Sequence, residues 1–382
     1  GYEIILVDRH HHHLYTPALY EVAAIPRDYA TDQHLISSTL IATSEIIRGR
    51  SIRFLCDEFV KADIRARTVT LAKYGVLGYE FLVLALGAQT NYFNIPGLKE
   101  HSFPLKTADD AVSLRNQIET LLAARPSLKI IVAGAGPSGV ELMAEFVNFI
   151  CILQGKLTPA PICNVKFILV EASPAILPGF PQSAVRRAGE RLRRLGIEIK
   201  TNAVIIAASP DAITYKSGER ETYDVLIWSG GVRGPSILSN LGLPLSPKGT
   251  LIVDRTLRVR GADGRAFAVG DNAWFVNPRT QKPLAWTVPV AEAEGRHVAR
   301  EIVRAISGKP RLSFKPLLRY PFILAVGKKY ALTDLIVVHL KGMLGWCAKQ
   351  LVELRYLLFL LPWPRAFVLW WKNMRLYSSN DS

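Results

Sequence analysis

The sequence has few cysteines, and their spacing suggests no shared chemistry. The 382 residues include four, Cys56, Cys151, Cys163 and Cys347, with no CxxC pair and no metal-ligand spacing. We therefore predict no disulfide framework, zinc finger or dithiol centre, and a reducing, cytoplasm-facing compartment is favoured. No metal site is expected, because the histidine run 10–13 has no second ligand cluster nearby and is interpreted as a polar loop.

Two further absences concern membranes and export. No apolar run reaches the roughly 18 residues that a membrane-spanning helix needs, and the amino terminus lacks the charged leader, apolar core and cleavage site of a signal peptide. The sequence starts at Gly1, and a strand-like apolar run follows at once. We therefore expect the natural protein to begin upstream.

Length and composition predict a folded, basic protein. At about 150 residues per domain, the chain suggests two domains and a further segment, and its 49% hydrophobic residues exclude a disordered chain. The net charge is +15, and the segment from Arg296 to the end holds 15 basic and 4 acidic residues. Because the excess is local, nucleic acid or an anionic membrane surface could bind there.

The most informative segment is a strand, a glycine turn and a helix. Leu128–Ala133 is predicted as a buried strand, and GAGPSGVELMAEF follows it directly. In this GxGxxG pattern Gly134 allows the tight turn, Gly136 lets the backbone approach a pyrophosphate, and Gly139 allows the helix to pack on the strand. The context predicts a dinucleotide-binding unit, with a purely structural glycine turn as the alternative.

Carboxylates end two predicted strands. Glu171 follows the strand 165–170, where it could accept hydrogen bonds from the adenosine ribose and repel a 2′-phosphate, which favours NADH over NADPH. An insertion near 155–161 accounts for its unusual distance from the glycines, and an ordinary exposed carboxylate is the alternative. Asp8 likewise ends a predicted strand and could bind the ribose of a second dinucleotide. Because the glycine turn of such a unit precedes its acid along the chain, we expect that turn before residue 1.

Other elements follow from hydrophobic periodicity. We predict a buried strand that ends at Asp8, an antiparallel meander over Ile52–Leu71, a buried strand over Tyr79–Ala88, a helix over Asp109–Leu122 that Pro126 ends, and a helix over Val290–Ile306.

In order, these motifs resemble those of flavoproteins with two dinucleotide-binding domains and, among these, the type II NADH dehydrogenases, or non-pumping NADH:quinone oxidoreductases. The resemblance covers nearly the whole chain and is most specific at DRHHHHLYTPALYEVA, WSGGVRG and LAVGKKYALTDL. It implies an α/β fold with two Rossmann-like domains, the FAD/NAD(P)-binding fold, and a carboxyl-terminal amphipathic helical segment at the membrane surface.

The resemblance also implies a domain order. The FAD-binding domain would comprise residues 1–108, without its first strand and glycine turn, and residues 256–330. The NADH-binding domain would comprise residues 109–255, and amphipathic membrane-anchoring helices would occupy residues 331–382.

Site residues are implied in the same way. FAD would contact Asp8, Ala85, Gly87, Ala88, Gly270 and Asp271. The helix that starts near Val288 would point its amino end at the flavin. NADH would contact Gly134, Gly136, Gly139, Glu171, Gly230 and Gly231. Glu141 would lie near the nicotinamide as the catalytic residue, the alternative being an ordinary polar helix residue.

One departure concerns the electron acceptor. The family's AQxAxQQ stretch at the quinone pocket is VPVAEAE here, residues 288–294, without a glutamine. The expected function is hydride transfer from NADH to FAD and electron transfer to a membrane quinone. Two alternatives stay open: an NADH-dependent reductase of a non-quinone acceptor, and a truncated, inactive NAD-binding membrane protein.

The carboxyl-terminal segment combines apolar runs with basic residues and tryptophans. From Ala331 to Tyr377, lysines and arginines interrupt each apolar run. This pattern is typical of helices that lie in the membrane interface and face anionic lipid. A buried helix pair and a homodimer interface are alternatives, whereas nucleic acid is disfavoured because the aromatics lie in leucine-rich runs. We expect a peripheral or monotopic protein on the cytoplasmic face of the inner (cell) membrane.

Overall fold

The computed structural model describes residues 1–125, 127–155 and 164–381. Pro126 and most of the predicted insertion lie outside these residues. The chain forms two compact units, each built from three segments. Unit 1 comprises Gly1–His11, Ile47–Asn91 and Val232–Pro321, and unit 2 comprises His12–Ile46, Tyr92–Gly231 and Phe322–Ser382. These bounds differ from those of the implied domains, which stay a prediction.

The described residues contain α-helices and strands throughout. The helices are α1 (Leu19–Val22), α2 (Asp32–Thr39), α3 (Thr43–Ile46), α4 (Leu98–His101), α5 (Ala108–Ala124), α6 (Pro137–Leu153), α7 (Gln182–Arg194), α8 (Val288–Ile306), α9 (Met343–Leu360) and α10 (Trp363–Tyr377). The strands are β1 (Ile4–Asp8), β2 (His12–Leu14), β3 (Leu40–Ala42), β4 (Ile52–Cys56), β5 (Phe59–Asp63), β6 (Thr68–Leu71), β7 (Gly75–Gly78), β8 (Leu82–Leu84), β9 (Gln89–Thr90), β10 (Leu128–Ala133), β11 (Val165–Val170), β12 (Glu198–Lys200), β13 (Ile205–Ala208), β14 (Ala212–Tyr215), β15 (Arg220–Thr222), β16 (Val225–Trp228), β17 (Val232–Arg233), β18 (Leu251–Ile252), β19 (Ala266–Ala268), β20 (Ala273–Trp274), β21 (Phe322–Ala325), β22 (Ala331–Asp334) and β23 (His339–Gly342).

Unit 2 is built around a four-stranded parallel sheet in the order β12-β11-β10-β16. Its central strand β10 is almost wholly buried, as a parallel strand covered on both faces must be, and Ile130, Ile131 and Val132 are fully inaccessible to solvent. The strands predicted at residues 128–133 and 165–170 are confirmed. Helix α5 confirms the helix predicted near Asp109, and a reciprocal capping box with Thr107 marks its start.

The carboxyl-terminal segment begins as a sheet and ends as helices. β21, β22 and β23 form an antiparallel sheet, so the expectation of helix from residue 331 is wrong for its first residues. There the Leu335 amide donates a hydrogen bond of 2.9 Å to the Val338 carbonyl, which closes a β22–β23 hairpin. Helices α9 and α10 follow as predicted. Among the described helices, none combines the length and the apolar character that crossing a membrane would require.

Unit 1 consists of small sheets and the long helix α8. β1 pairs in parallel with β4, β8 pairs in parallel with β19, and β5, β6 and β7 form an antiparallel meander. The predicted meander is therefore correct only after β4, which pairs with the distant β1. Its core includes Leu251, Leu257 and Phe267, all inaccessible to solvent.

Two strands predicted to be buried are exposed at some of their residues. In β1, Ile4 and Leu6 are 58% and 39% exposed, and within the described residues this strand pairs only with β4. The run Tyr79–Ala88 forms a strand only at β8, where Val83 is 41% exposed. An apolar run favours a strand, but it does not show whether neighbouring elements cover the strand's faces.

The cysteine expectation is only partly correct. Cys56 and Cys347 are free thiols, whereas Cys151 is disulfide-bonded. Cys163 lies outside the described residues.

Candidate functional site

In unit 2, three adjacent parallel strands lead into residues predicted for the NADH site. β10 continues into Gly134, β11 into Glu171, and β16 into the loop with Gly230 and Gly231. The Gly134 amide donates a hydrogen bond of 2.8 Å to the Val170 carbonyl. Because the carboxyl ends of parallel strands share one edge, the structure brings these residues together there.

The three glycines of the turn have different surroundings. A Cβ at Gly134 would lie 2.4 Å from the Ser229 backbone, and a Cβ at Gly139 would lie 2.0 Å from the Gly134 carbonyl oxygen. A Cβ at Gly136 would meet nothing within 4 Å. Gly134 and Gly139 are therefore required by close packing, whereas Gly136 leaves open space at the start of α6.

That open space adjoins uncapped backbone amides. Gly136 is the N-cap of α6, no side chain caps the helix, and a proline occupies its first turn. The first amides of a helix have no intrahelical partner, and the helix dipole makes this end positive. The turn therefore fits the pyrophosphate of a dinucleotide.

The Glu171 carboxylate is buried and held by the turn itself. Oε2 accepts a hydrogen bond from the Ala135 amide, and Oε1 accepts one from the Ser173 amide, each at 2.8 Å. An ionised carboxylate has about four lone-pair sites. Glu171 is thus oriented by the backbone and can still accept hydrogen bonds from two ribose hydroxyls.

Glu141 lies on α6, just past its first turn, and its Oε1 accepts a hydrogen bond of 3.2 Å from the Ala325 amide. Removal from water raises the pKa of Glu141 to about 8, and the neighbouring charge of Lys349 opposes part of that shift. At neutral pH Glu141 is therefore mostly a neutral acid that can donate a proton.

In unit 1, β8 and β19 bring together part of the predicted FAD site. The Val269 amide donates to the Leu84 carbonyl at 3.1 Å, so the segment 85–88 and the pair Gly270–Asp271 leave the paired strands side by side. Gly87 has a left-handed backbone, with φ of 68°, and a Cβ there would meet nothing within 4 Å. This edge leaves room for a ligand backbone.

Asp8 is placed differently. It ends β1 in the separate two-stranded sheet with β4, is exposed, and accepts a hydrogen bond of 2.8 Å from the His10 amide. Within the described residues, β1 and the β8–β19 pair belong to separate two-stranded sheets.

Helix α8 begins at Val288, as predicted, and no side chain caps its amino end. It lies against the Gly270 loop, because a Cβ at Gly270 would be 3.6 Å from the Ala291 side chain. In the same loop, the buried Asn272 Oδ1 has no hydrogen-bond partner. The positive helix end, the open Gly87 turn and this acceptor fit a group rich in hydroxyls and negative charge, as FAD is.

The burial of Glu294 could not be predicted from the sequence, which shows only that the glutamine of the family pattern is absent there. Glu294 is 2% exposed, and its Oε2 accepts a hydrogen bond of 2.6 Å from the Gly270 amide. Burial, with a smaller contribution from Asp271, raises the pKa of Glu294 to about 7. The glutamate that stands where the family pattern has its last glutamine was the available signal.

Comparisons with known proteins agree with this geometry. The family model described as pyridine nucleotide-disulphide oxidoreductase matches residues 1–295. The type II NADH:quinone oxidoreductases of Staphylococcus saprophyticus and Staphylococcus aureus are each 27% identical over 324 residues, covering 82% of this chain and 78% of theirs.

Solved structures support the fold. The chain is similar to NDH2 of Plasmodium falciparum in complex with NADH, with a TM-score of 0.81 and 18% identity, covering 100% of this chain and 94% of that one. It is also similar to the sulfide:quinone oxidoreductase of Aquifex aeolicus, with a TM-score of 0.77 and 19% identity, covering 94% and 85%. The predicted FAD/NAD(P)-binding fold is confirmed, and because the family model matches most of its length, the chain belongs to the pyridine nucleotide-disulphide oxidoreductase family.

Proposed function

We propose that this protein is a type II NADH:quinone oxidoreductase, which oxidises NADH through FAD and reduces a membrane quinone. The observation that carries the proposal is the open, uncapped glycine turn at Gly136, beside a carboxylate that the turn holds in place. Its curated relatives carry the same activity in their names. A reductase of another acceptor and an inactive NAD-binding protein are less well supported, since nothing in the described site favours them.

The residues of unit 2 bind and orient NADH. The amides at the start of α6 bind the pyrophosphate, and Glu171 accepts hydrogen bonds from the adenosine ribose. Gly230 and Gly231 let the dinucleotide approach the backbone; a Cβ at Gly230 would already lie 2.4 Å from the Trp228 ring. Glu141, neutral at pH 7, lies near the nicotinamide.

The residues of unit 1 hold FAD. When bound, FAD supplies the hydride acceptor for NADH and passes the electrons on to quinone. Gly87 and Gly270 leave room for the flavin chain, with Ala85, Ala88, Asp8 and Asp271 along it. The positive end of α8 at Val288 stabilises negative charge on the isoalloxazine ring.

The carboxyl-terminal segment binds a membrane surface. At the tip of the β22–β23 hairpin Val337 is 86% exposed, and on the helices Trp363 is 73% and Leu344 67% exposed. Exposed apolar side chains beside Lys341 and Arg365 suit the interface of an anionic bilayer. We place the protein on the cytoplasmic face of the cell membrane, with a homodimer through the same segment as a compatible second role.

Anaerobic flavin reduction tests the proposal. The protein expressed from its complete coding sequence and purified with FAD should lose its flavin absorbance on addition of NADH and regain it on addition of a soluble quinone. Absence of bleaching would exclude the NADH dehydrogenase activity. Fast reduction of ferricyanide together with negligible reduction of quinone would instead favour a different acceptor.

A further inference from the structure

An exposed aromatic ring in unit 2 lies beside the two glycines of the loop after β16. Phe93 is 57% exposed, and a Cβ at Gly231 would lie 3.2 Å from its ring. The ring therefore rests against the backbone of that glycine. A single exposed apolar side chain needs no special explanation, but the backbone and the position of this one do.

The backbone at Phe93 is strained. Its φ is 52° and that of Asn94 is 55°, and the Ile95 amide donates a hydrogen bond of 2.9 Å to the Tyr92 carbonyl. This is a tight turn with a left-handed backbone at both central positions, where glycine, asparagine and aspartate predominate. An aromatic residue rarely adopts that conformation. Strain of this kind persists where the surrounding structure holds the residue, and it is common at ligand sites.

Buried neighbours hold the turn in place. Tyr92 and Ile95, on either side of it, are partly buried and pack against the hydrophobic cluster that contains Trp228. The Trp228 ring is 8% exposed and meets the Phe93 ring nearly edge to face, with the ring centroids 6.3 Å apart. The fold thus fixes the Phe93 ring at the surface, next to the glycine loop.

The order of the strands indicates which half of a dinucleotide reaches this ring. Glu171 follows β11, the glycine turn follows β10, and the Gly230 loop follows β16 on the far side of β10. A Cβ at Gly134 would lie 2.5 Å from the Gly230 Cα, so the turn and the loop are in contact. With the adenosine ribose at Glu171 and the pyrophosphate at the turn, the other half of the dinucleotide lies on the β16 side.

An aromatic side chain suits a nicotinamide ring. Flat heteroaromatic rings stack on phenylalanine, tyrosine or tryptophan, and stacking of a nucleic-acid base on such a side chain strengthens binding roughly 5- to 150-fold. The Phe93 side chain carries no charge and no hydrogen-bonding group, so it can bind a ligand only through ring contacts.

We propose that the Phe93 ring packs against the nicotinamide ring of NADH and gives the site its affinity for that half of the dinucleotide. This inference rests on the proposed function, because it requires NADH in unit 2. The strained turn holds the ring in position before the ligand binds, so little side-chain freedom is lost on binding. A flat ring has two faces, and contact with Phe93 leaves the other face for hydride transfer.

Binding of NADH and of ADP-ribose tests this contact. ADP-ribose has the adenosine, the pyrophosphate and the second ribose of NADH but no nicotinamide. The full chain is titrated anaerobically after dithionite has reduced its FAD, so that no hydride transfer follows binding. Phe93→Ala should weaken NADH binding about tenfold and change the affinity for ADP-ribose by less than about twofold.

Two further variants serve as controls for this titration. Phe93→Tyr keeps a ring and should bind NADH within about twofold of the wild type. Tyr74→Ala removes a ring in unit 1 that is 52% exposed, and it should alter neither affinity.

Thermal unfolding of Phe93→Gly separates binding from a structural role. Glycine adopts a positive φ without strain, so this variant should keep the Tm within about 2 °C of the wild type or raise it. It should nevertheless weaken NADH binding as Phe93→Ala does. A Tm lowered by more than about 5 °C would assign the ring a structural role and overturn the proposal.

Equal weakening of NADH and ADP-ribose in Phe93→Ala, or an unchanged NADH affinity, would overturn the contact while leaving the proposed function intact. A wild type that binds neither nucleotide would instead overturn the proposed function and the contact with it. Selective loss of NADH affinity in Phe93→Ala and Phe93→Gly, with normal affinity in Phe93→Tyr, would support the ring as the group that binds nicotinamide.

Discussion

The two predicted nucleotide sites differ in how deeply the strands that lead to them are buried. In unit 2 the glycine turn follows the central strand of a four-stranded parallel sheet, and Ile131 in that strand is fully buried. In unit 1 the corresponding residues follow paired strands of small sheets, and Ile4 in β1 is 58% exposed. The same local pattern, an apolar strand that ends in a carboxylate, thus gives a buried strand in one unit and, within the 382 residues, a largely exposed strand in the other.

Two buried carboxylates show the same contrast. Glu171 accepts hydrogen bonds from two backbone amides, whereas Glu294 accepts one, from Gly270, and has its pKa raised to about 7. A carboxylate with several backbone donors is stabilised in its charged form, and one with few donors in an apolar setting tends toward the neutral form. Unit 2 therefore presents a carboxylate that two backbone amides orient, and unit 1 presents one whose pKa is raised by burial.

The largest expected difference between the two units is the loss of stability when one strand side chain in each is shortened to alanine. Ile131→Ala should lower the free energy of unfolding by about 3 kcal/mol, because it leaves a cavity in a close-packed sheet. Ile4→Ala should cost less than about 0.5 kcal/mol, since its side chain is already largely in water. Urea unfolding of both variants measures this, and equal losses would contradict the contrast between the strands.

Substitutions of two glycines in the same turn should have different effects, one mainly on stability and the other mainly on NADH binding. Gly139→Ala should cost about 2 kcal/mol of stability, because its Cβ would lie 2.0 Å from the Gly134 carbonyl oxygen. Gly136→Ala should cost less stability, about 0.5 to 1 kcal/mol, because alanine is a poorer N-cap than glycine. It should weaken NADH binding about tenfold, because the methyl group would occupy the space next to the helix amides. Thermal unfolding and NADH titration distinguish these effects, and normal NADH affinity in Gly136→Ala would argue against a pyrophosphate there.

The acid of unit 1 should make stability depend on pH. The ordinary pKa of Glu294 is 4.5 and its folded value is about 7, so the folded state binds the proton more tightly and loses stability as the pH rises between these values. Glu294→Gln removes this loss and should be more stable than the wild type by about 1.5 kcal/mol at pH 8, with no gain near pH 4. Urea unfolding of the wild type and the variant at both pH values tests this prediction. A variant less stable than the wild type at pH 8 would show that the Glu294 carboxylate stabilises the folded state.

The acid of unit 2 should affect selectivity more than stability. Glu171→Gln removes the charge that repels a 2′-phosphate, and it should reduce the preference for NADH over NADPH about fivefold, or about 1 kcal/mol. Titration of each nucleotide against the variant gives the ratio directly. An unchanged ratio would exclude contact between Glu171 and the ribose.

Much of unit 2 could be predicted from sequence because its signals are local. The strand, turn, helix and second strand between Leu128 and Val170 appear where the pattern places them, and the glycine spacing identifies the turn. Exposure was not predictable in the same way. The apolar run before Asp8 and the run at Tyr79–Ala88 have the composition of buried strands, but burial depends on which elements cover them.

The class of fold, the glycine turn after β10 and the carboxylate at its edge could all be predicted from the sequence, because each depends on residues close together in the chain. Tertiary structure alone decided the rest. Glu21 and Lys349 pair across 328 positions, and the titrating state of Glu294 depends on burial by its neighbours. Such contacts and the loss of water around them arise only when distant segments pack, so no local periodicity reports them.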